Sequence, residues 1–451
     1  MDTTSFSIPA IEDFKLKALQ WANQFRVCCL LDSNNYSKDS YTEFDWLLAV
    51  DALEELQTTT NAFESLKLFH ENTNEKIFGF LSYDLKNQLE NLDSNNFDGI
   101  GFPPTYFFKP RYILSIKGGS VSFNRNYPEA FEMLERISGQ KLESRSQKLE
   151  VREQKSGKSE LATSNSQLPT SNFQLIPRTP KEKYISNVNH IKSQIKEGDF
   201  YELNYCCEFF AEATMIEPLA VFKKLNDSAS APFSNFFKLD DKYLLCSSPE
   251  RFLKKQGTQL ISQPIKGTIR KGKDAQENEQ LKQKLQNDSK ERAENVMIVD
   301  LVRNDLAKSS RPGSVKVVEL FGVYEFKRVN QLISTVTSQI KDNVHFVDAI
   351  KNAFPMGSMT GAPKVEVMKN IEQFEDQKRG LYSGALGYIS PSGDFDFNVV
   401  IRSVLYNASR NYISVQAGGA ITFDANAEQE YEELLLKAKG MLEALDATIL
   451  L

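Results

Sequence analysis

The stretch Gln263-Pro264-Ile265-Lys266-Gly267-Thr268 places one lysine between a proline and a glycine. Proline fixes φ and lacks an N–H donor, so it marks the start or the edge of a strand, and glycine lets another group approach the backbone closely. A lysine in this setting is either a solvated strand residue or a buried nucleophile. Because an amine attacks carbon only when it is neutral, the second interpretation requires burial or a nearby cation to lower the pKa of Lys266.

Apolar runs bounded by turn residues predict strands on both sides of this stretch, and longer amphipathic segments predict helices. Their order is not the regular alternation of a doubly wound fold. We therefore predict an α+β fold, a large sandwich of mainly antiparallel β-sheets with helices packed outside. The predicted strands are at residues 27–31, 77–83, 111–116, 259–268, 385–389, 399–405 and 412–416 and around Cys246, and the predicted helices are at residues 51–56, 181–197, 288–306 and 427–445.

The composition is that of a globular protein. The 451 residues are 41% hydrophobic with a net charge of −6, and the chain has neither a basic face nor a long apolar run, which argues against nucleic-acid and membrane partners. The N-terminal residues lack the pattern of an export signal, so we expect a cytoplasmic protein. The adjacent pairs Cys28-Cys29 and Cys206-Cys207 predict reduced cysteines that point to opposite faces of a strand, and no cysteine spacing suits zinc.

Composition also divides the chain into three parts. Residues 141–177 are polar and partly repetitive, with few large apolar side chains, which predicts a flexible linker. We place an N-terminal region that shares the sandwich at residues 1–140. The catalytic region is predicted at residues 178–451.

Two pairs of glutamates indicate a metal site. Glu291 and Glu294 are three residues apart in one predicted helix, and Glu430 and Glu433 have the same spacing in another, so each pair lies on one helix face. Two solvated acidic faces are the simpler interpretation. Both pairs adjoin apolar residues, however, and if the two faces meet, their charges repel unless a cation lies between them. Ligands that are all oxygen suit Mg²⁺.

Three motifs follow one another along the chain: Ser247-Ser248-Pro249-Glu250-Arg251-Phe252, the Pro264–Thr268 stretch, and Gly361-Ala362-Pro363-Lys364. Together they resemble the chorismate-utilising enzymes, and among these component I of the aminodeoxychorismate synthases, over residues 178–445. Related anthranilate synthases typically carry alanine where Lys266 stands. The resemblance implies amination of chorismate at C4, without loss of pyruvate, on the route to p-aminobenzoate and folate.

The resemblance also places Mg²⁺ among the four glutamates of the chorismate-binding region. The direct ligands are expected to be Glu294 and Glu433. The residues expected to hold metal-bound waters are Glu291 and Glu430.

The implied chemistry is the replacement of a hydroxyl group. Lys266 adds to C2 of the ring as the hydroxyl leaves C4, which divides one difficult substitution into two easier ones. Glu250 is the candidate general acid or base, and a structural pair with Arg251 is the alternative. Glu202 stands where aminating relatives usually have glutamine and isochorismate-forming relatives have lysine, so we expect it to orient ammonia. Gln331 stands where the family often has histidine.

A second set of residues is expected to bind the two carboxylates of chorismate. Arg402, in an apolar strand, offers a planar fork for one carboxylate and Tyr382 assists it, while a structural ion pair and plain core packing are the respective alternatives. A turn at residues 417–420 presents successive N–H groups that form an anion nest. The remaining candidates for substrate contact are Gly267, Thr268, Gly361, Ala362, Lys364, Gly418, Gly419 and Ala420.

Ammonia is expected from a separate glutamine amidotransferase subunit, because no cysteine lies in a nucleophile turn. In relatives, a tryptophan pocket is formed by segments that correspond here to Ser33, Ala231, Pro232 and Phe233, but Glu43 replaces the basic residue expected beside it. Two other functions stay open. One is component I of an anthranilate synthase, and the other is a chorismate-binding protein without catalytic activity.

Overall fold

The computed structural model describes residues 3–7, 10–90, 92–124, 137 and 172–450. No helix in these ranges is long and apolar enough to cross a membrane.

The helices are α1 (Ile11–Ala22), α2 (Ala62–Thr73), α3 (Lys86–Glu90), α4 (Lys181–Glu197), α5 (Pro218–Ala229), α6 (Ala275–Asn287), α7 (Ser289–Ser309), α8 (Phe346–Ala353), α9 (Lys364–Phe374) and α10 (Ala427–Leu445), with short 3-10 helices at Tyr83–Leu85 and Gly357–Met359. The strands are β1 (Thr3–Ser7), β2 (Val27–Asp32), β3 (Trp46–Thr58), β4 (Ile77–Leu81), β5 (Thr105–Lys117), β6 (Ser120–Asn124), β7 (Gln174–Pro177), β8 (Glu202–Ala211), β9 (Phe233–Leu239), β10 (Lys242–Ser248), β11 (Arg251–Gln256), β12 (Gln259–Gln263), β13 (Ile265–Arg270), β14 (Lys316–Glu325), β15 (Val329–Gln339), β16 (Gly361–Ala362), β17 (Ala385–Ile389), β18 (Phe395–Val399), β19 (Ser403–Asn407), β20 (Tyr412–Ile421) and β21 (Thr448–Ile449).

The strands before residue 125 and those after residue 172 form continuous, mainly antiparallel sheets. β2 pairs with β9, and β4 pairs with β17 through Gly79 and Gly387. The α+β class with antiparallel sheets is therefore confirmed. Of the predicted linker, residues 141–171 lie outside the described residues, and residues 174–177 form β7, which pairs with β8.

Two hydrophobic cores lie on opposite faces of the strands. Along β2, Val27, Cys29 and Leu31 join one core, and Cys28 and Leu30 join the other, because side chains alternate along a strand. The first core lies between layers of strands and helices α2, α7 and α8. The second core lies beneath α1, α4, α5, α9 and α10. The prediction that adjacent cysteines face opposite ways is confirmed, and all five thiols are free and buried.

The helix predicted at residues 51–56 is wrong, because this segment is the outer half of β3. β3 pairs with both β2 and β5, and only residues 46–50 are fully buried. Asp51 has φ 60°, and a bulge separates Ala52 from Glu54. The bulge interrupts the alternation expected of a strand, so that the apolar residues Leu53 and Leu56 fall at a helical spacing.

Candidate active site

Lys266 lies on a bulge in β13. The ladder between β13 and β15 pairs Ile265 with Ile333 and then Thr268 with Gln331, so β13 has one residue more than its partner here. A bulge changes the direction of the side chains that it carries. The Lys266 side chain meets the first residue of β8.

The amine of Lys266 is paired with carboxylates. Its Nζ atom lies 2.5 Å from Glu202 Oε1 and 3.9 Å from Glu294 Oε2, and the side chain is 11% exposed. Burial disfavours the charged amine, but Glu202, Glu294 and Glu433 outweigh it and raise the pKa of Lys266 above its ordinary 10.5. The neutral amine expected from the sequence is therefore not the form that these neighbours favour.

Gly267 and Thr268 shape the wall beside this amine. Gly267 has φ 93°, and a Cβ atom there would lie only 3.0 Å from Glu291 Oε2. The Gln331 Nε2 atom donates a hydrogen bond to Thr268 Oγ1 at 3.2 Å. The glycine thus leaves the space that the Glu291 carboxylate uses.

The Gly361–Ala362 segment positions Glu202 through the backbone. Ala362 pairs with Glu202, and Gly361 pairs with Leu203. A Cβ atom on Gly361 would lie 2.0 Å from the Glu202 carbonyl oxygen, and φ is 148°, so only glycine allows this approach. The contact of this segment with Glu202 fixes the position of the carboxylate that holds Lys266.

Lys364 is not brought into the cluster around Lys266. Its Nζ atom lies 2.5 Å from Asp305 Oδ2 and donates to the carbonyl oxygens of Ala353 and Pro355. The ammonium group of Lys364 thus donates hydrogen bonds to three acceptors within the fold. These contacts favour a structural role for Lys364, and its contact with substrate stays a prediction.

Glu250 is buried, and its neighbour Arg251 pairs with other carboxylates. The residue is 4% exposed, and burial raises the pKa of its carboxyl to about 7, although nearby Lys266 opposes the rise. Arg251 pairs instead with Asp39 at 2.7 Å and Asp396 at 2.9 Å. The structural pair of Glu250 with Arg251 is therefore wrong. Glu250 lines a small cavity together with Pro264 and Ser358.

The four glutamates lie in the first two turns of α7 and α10. Asp288 caps α7 by accepting hydrogen bonds from the backbone N–H groups of Lys290 and Glu291. The N-terminal ends of helices favour nearby carboxylates. The Lys290 Nζ atom lies 3.8 Å from Glu294 Oε1 and 3.8 Å from Glu430 Oε1, so one ammonium group connects the two helices.

Mutual repulsion among these carboxylates appears in their pKa values. Burial and then the charges of Glu294 and Glu433 raise the pKa of Glu291 to about 7. Burial also raises the pKa values of Glu294 and Glu430. Lys437, which lies 2.7 Å from Glu433 Oε1, lowers the pKa of Glu433. The cluster therefore favours additional positive charge.

The donor chemistry of the cluster fits Mg²⁺, because carboxylate oxygens from two helices surround one cationic atom. As the side chains lie, no three His, Cys, Asp or Glu groups within the described ranges stand close enough together to hold an ion. The position between Glu294 and Glu430 is taken by Lys290 Nζ. The site thus suits a cation in charge and donor type, with an ammonium group at its centre.

Arg402 lies in the connection between β18 and β19, so the single strand predicted at residues 399–405 is wrong. Its φ of 54° turns the chain, and its Nη1 atom donates to the carbonyl oxygen of Lys437 at 3.0 Å. Burial lowers the pKa of Arg402, against the effects of Tyr382 and Glu433. Among the described residues no carboxylate lies within 4.0 Å of this guanidinium, so the structural ion pair is also wrong. A half-buried cation without such a partner suits an anionic ligand.

Tyr382 is part of the first core and adjoins the site. It is 3% exposed, and its hydroxyl lies 3.9 Å from Cys206 Sγ. Burial raises the pKa of Tyr382 well above its ordinary value. The hydroxyl therefore remains neutral beside Arg402.

Residues 417–420 form part of β20, and the predicted turn is wrong. β20 pairs with β8 along this whole segment, whereas β19 pairs with β20 only as far as Val415. The opposite edge of β20 is consequently open, and Lys437 Nζ donates to Gly418 O there at 2.8 Å. The prediction failed because two small residues in sequence occur in a strand that packs closely as well as in a turn. Gly418, Gly419 and Ala420 border the site as a strand edge.

The sequence interpretation missed Lys290 and Lys437. Lys290 lies four residues before Glu294, and Lys437 lies four residues after Glu433 on the same helix. Oppositely charged residues at this spacing form ion pairs along a helix. A search for lysines at this spacing from the four glutamates finds both of them.

Three residues of the candidate tryptophan pocket, Ser33, Pro232 and Phe233, line a second small cavity. Glu43, the departure noted above, pairs with Lys254 at 2.7 Å and accepts a hydrogen bond from Tyr388 at 3.1 Å. Ala231 instead accepts a hydrogen bond from Asn34 through its carbonyl oxygen. The cavity lining includes Ser33, Pro232, Phe233, Glu43 and Tyr388.

Residues 24–443 match the family of chorismate binding enzymes. The chain belongs to this family. Component 1 of aminodeoxychorismate synthase from Salmonella typhimurium is 41% identical over 264 residues, which span 58% of this chain and 58% of that protein. The enzyme of the same name from Bacillus subtilis is 32% identical over 369 residues, or 82% of this chain and 76% of that protein.

A solved structure supports this membership of the chorismate binding family. The crystal structure of anthranilate synthase component I from Streptococcus pneumoniae has a TM-score of 0.72 and 25% identity, and covers 88% of this chain and 91% of that one. The family and the fold predicted from the motifs are confirmed. Several of the curated relatives are matched over only about 58% of their length.

Proposed function

We propose that this member of the family aminates chorismate at C4 to give 4-amino-4-deoxychorismate. The contact of Lys266 Nζ with Glu202 Oε1 at 2.5 Å, beside the buried Glu250, carries the proposal. This arrangement combines a nucleophile, a proton acceptor and a buried carboxyl in one place. Relatives named aminodeoxychorismate synthase component 1 support the same reaction.

The covalent steps use these three side chains. Lys266 transfers a proton to Glu202, and the neutral amine forms a bond to C2 of the ring. The two ring double bonds shift, the C4–O bond breaks, and Glu250 protonates the departing hydroxide, which leaves as water. Ammonia then forms a bond to C4, the double bonds shift back, and the C2–N bond to Lys266 breaks. Lys266 recovers its proton from Glu202, and the new ammonium group returns one to Glu250.

The acidic cluster and its neighbours are proposed to hold the substrate. When bound, Mg²⁺ supplies positive charge that holds one substrate carboxylate. Glu294 and Glu433 would hold the ion, and with their charges neutralised they would raise the pKa of Lys266 less. Arg402 and Lys437 provide cationic groups for the second carboxylate. The proposed direct ligands are Glu294 and Glu433, and the proposed holders of metal-bound waters are Glu291 and Glu430.

Ammonia is proposed to come from a glutamine amidotransferase subunit. The name "component 1" carried by relatives supports a second component. Free ammonium salts replace that subunit in an assay of the isolated chain.

Product analysis tests the proposal. Purified protein is incubated with chorismate, MgCl₂ and ammonium chloride, and the products are separated by chromatography. We expect 4-amino-4-deoxychorismate without pyruvate. Anthranilate with an equal amount of pyruvate would show an anthranilate synthase instead. Binding of chorismate without turnover would show a protein that only binds it.

A further inference from the structure

One lysine occupies the centre of the acidic cluster. Lys290 is the second residue of α7, and its Nζ atom lies 3.8 Å from a carboxylate oxygen of Glu294 on its own helix and 3.8 Å from one of Glu430 on α10. Glu291 and Glu433 also act on its charge. It is therefore the ammonium group that the two acidic helices share.

We infer that Lys290 is an internal counter-ion that occupies the place of the divalent cation and must withdraw when that cation binds. The inference rests on the proposed Mg²⁺ site. Lys290 then competes with the metal ion for Glu294 and Glu430, and the strength of this competition sets the affinity for Mg²⁺. In the absence of metal, the same ammonium group reduces the repulsion between α7 and α10.

The geometry makes Lys290 suited to withdrawal. Its two contacts at 3.8 Å are longer than hydrogen bonds, and its side chain is 53% exposed, so the amine reaches water by a rotation of its own side chain. Solvent-exposed pairs of this kind contribute little each. Withdrawal therefore requires no movement of either helix.

The two other lysines of the site are held more firmly. Lys266 is 11% exposed and lies 2.5 Å from Glu202. Lys437 is 26% exposed and lies 2.7 Å from Glu433 and 2.8 Å from the Gly418 carbonyl oxygen. Of these three ammonium groups, Lys290 is the one whose contacts are long and whose side chain is mostly in solvent.

Titration calorimetry of the full chain with MgCl₂ tests the inference. We expect Lys290→Gln to bind Mg²⁺ about 3- to 10-fold more tightly than the unchanged chain, because two exposed ion pairs no longer oppose binding. Lys290→Arg keeps the charge and is expected to stay within about 2-fold of the unchanged chain. Lys369→Gln is the matched control, since Lys369 is 50% exposed and pairs with Glu366 on its own helix, away from the cluster.

Thermal unfolding in EDTA provides a second readout. Lys290→Gln is expected to unfold at a lower temperature than Lys369→Gln, and to gain more from added MgCl₂. Glu294→Gln, which removes a proposed ligand, is expected to abolish the calorimetric signal and so locates the ion.

The outcomes separate the inference from the proposed function. Unchanged or weaker Mg²⁺ binding by Lys290→Gln, with normal binding by the unchanged chain, overturns the inference alone. Tighter binding by Lys290→Arg as well overturns it too, since charge is then not the cause. If neither the unchanged chain nor Lys290→Gln binds Mg²⁺, the metal site and the inference both fail. Binding by Lys290→Gln alone supports the inference.

Discussion

Lys266 Nζ lies 2.5 Å from Glu202 Oε1, although the two residues are 64 positions apart in the chain. β16 holds the backbone of Glu202, and a bulge in β13 places Lys266 against it. The pair keeps a proton near the amine, and the same carboxylate is the nearest group to accept it. The contact of Lys266 with Glu202 therefore stabilises the charged amine and also provides the proposed route by which the amine loses its proton.

Replacement of Lys266 by alanine removes the proposed nucleophile. We expect Lys266→Ala to lose at least about 100-fold in amination rate, because the covalent route is closed, while chorismate still binds. Rates come from product chromatography and binding from calorimetry. Unchanged output of aminodeoxychorismate would remove the covalent lysine from the reaction.

Replacement of Glu202 by glutamine changes the pH dependence. Among the charges that raise the pKa of Lys266, Glu202 is the largest, so Glu202→Gln lowers that pKa and makes the amine neutral at lower pH. The acidic limb of the kcat/KM profile is expected to move to lower pH. Glu212→Gln is the control, because Glu212 is exposed and lies one residue past the other end of the same strand. A limb that stays in place, or moves to higher pH, contradicts the assignment.

Glu250 is expected to limit activity from the alkaline side. Its pKa of about 7 means that the carboxyl donates a proton below that pH and loses this ability above it. Glu250→Gln is expected to reduce the rate by about 100- to 10,000-fold and to remove this alkaline limb. A full alkaline limb in the variant would assign the limb to another group.

Glu250 also affects stability. Since burial raises its pKa from 4.5 to about 7, its contribution to the free energy of unfolding is fully present below pH 4.5 and is lost by about pH 7. Glu250→Gln does not undergo this loss. The variant is therefore expected to gain roughly 3 kcal/mol relative to the unchanged chain between pH 4 and pH 8. Urea unfolding at both pH values measures the difference, and a constant difference contradicts the burial of an ionisable carboxyl.

Arg402 is expected to act on substrate binding. Removal of its guanidinium in Arg402→Ala leaves a substrate carboxylate unpaired and is expected to weaken chorismate binding at least about 30-fold. Arg402→Lys retains the charge without the planar fork, so its affinity for chorismate is expected to lie between those of the unchanged chain and Arg402→Ala. Calorimetric titration with chorismate gives the affinities. Equal binding by all three proteins would place the substrate elsewhere.

Lys364 is expected to act on stability alone. Lys364→Ala removes one of the two lysines that pair with the buried Asp305, the other being Lys308 at 3.0 Å, and a lost hydrogen bond to a charged group typically costs about 1.5 to 3 kcal/mol. The free energy of unfolding should fall by roughly that amount, and the KM for chorismate in the folded fraction should not change. A higher KM with unchanged stability would return Lys364 to the substrate-binding residues.

Much of the fold could be predicted from periodicity, and the errors have local causes. The helices at residues 181–197 and 427–445 end where the structure ends them, because each combines an amphipathic pattern with a clear start and stop. The helix predicted at residues 51–56 was wrong because a bulge interrupts the strand there and leaves its apolar residues at a helical spacing. The strand at residues 399–405 was wrong because Arg402 adopts a positive φ, which no sequence pattern indicates.

The sequence could predict which residues belong to the site where they lie in a motif. It could not predict their protonation or contacts where these depend on residues distant in the chain. The sequence placed Lys266 among candidate nucleophiles, but its raised pKa comes first from Glu202 and then from Glu294 and Glu433, which only the fold brings near it. The spacing of four residues identifies Lys290 as a neighbour of Glu294, but its contact with Glu430 on α10 depends on the fold.

The pairing of β4 with β17 has a consequence for synthesis of the protein. Phe78 and Tyr388 face each other across this ladder although 310 positions separate them. The chain must therefore be synthesised as far as β17 before β4 can pair with it. Until then, the edge of β4 that pairs with β17 remains unpaired. The pairing of β4 with β17 is therefore a late event in the folding of this chain.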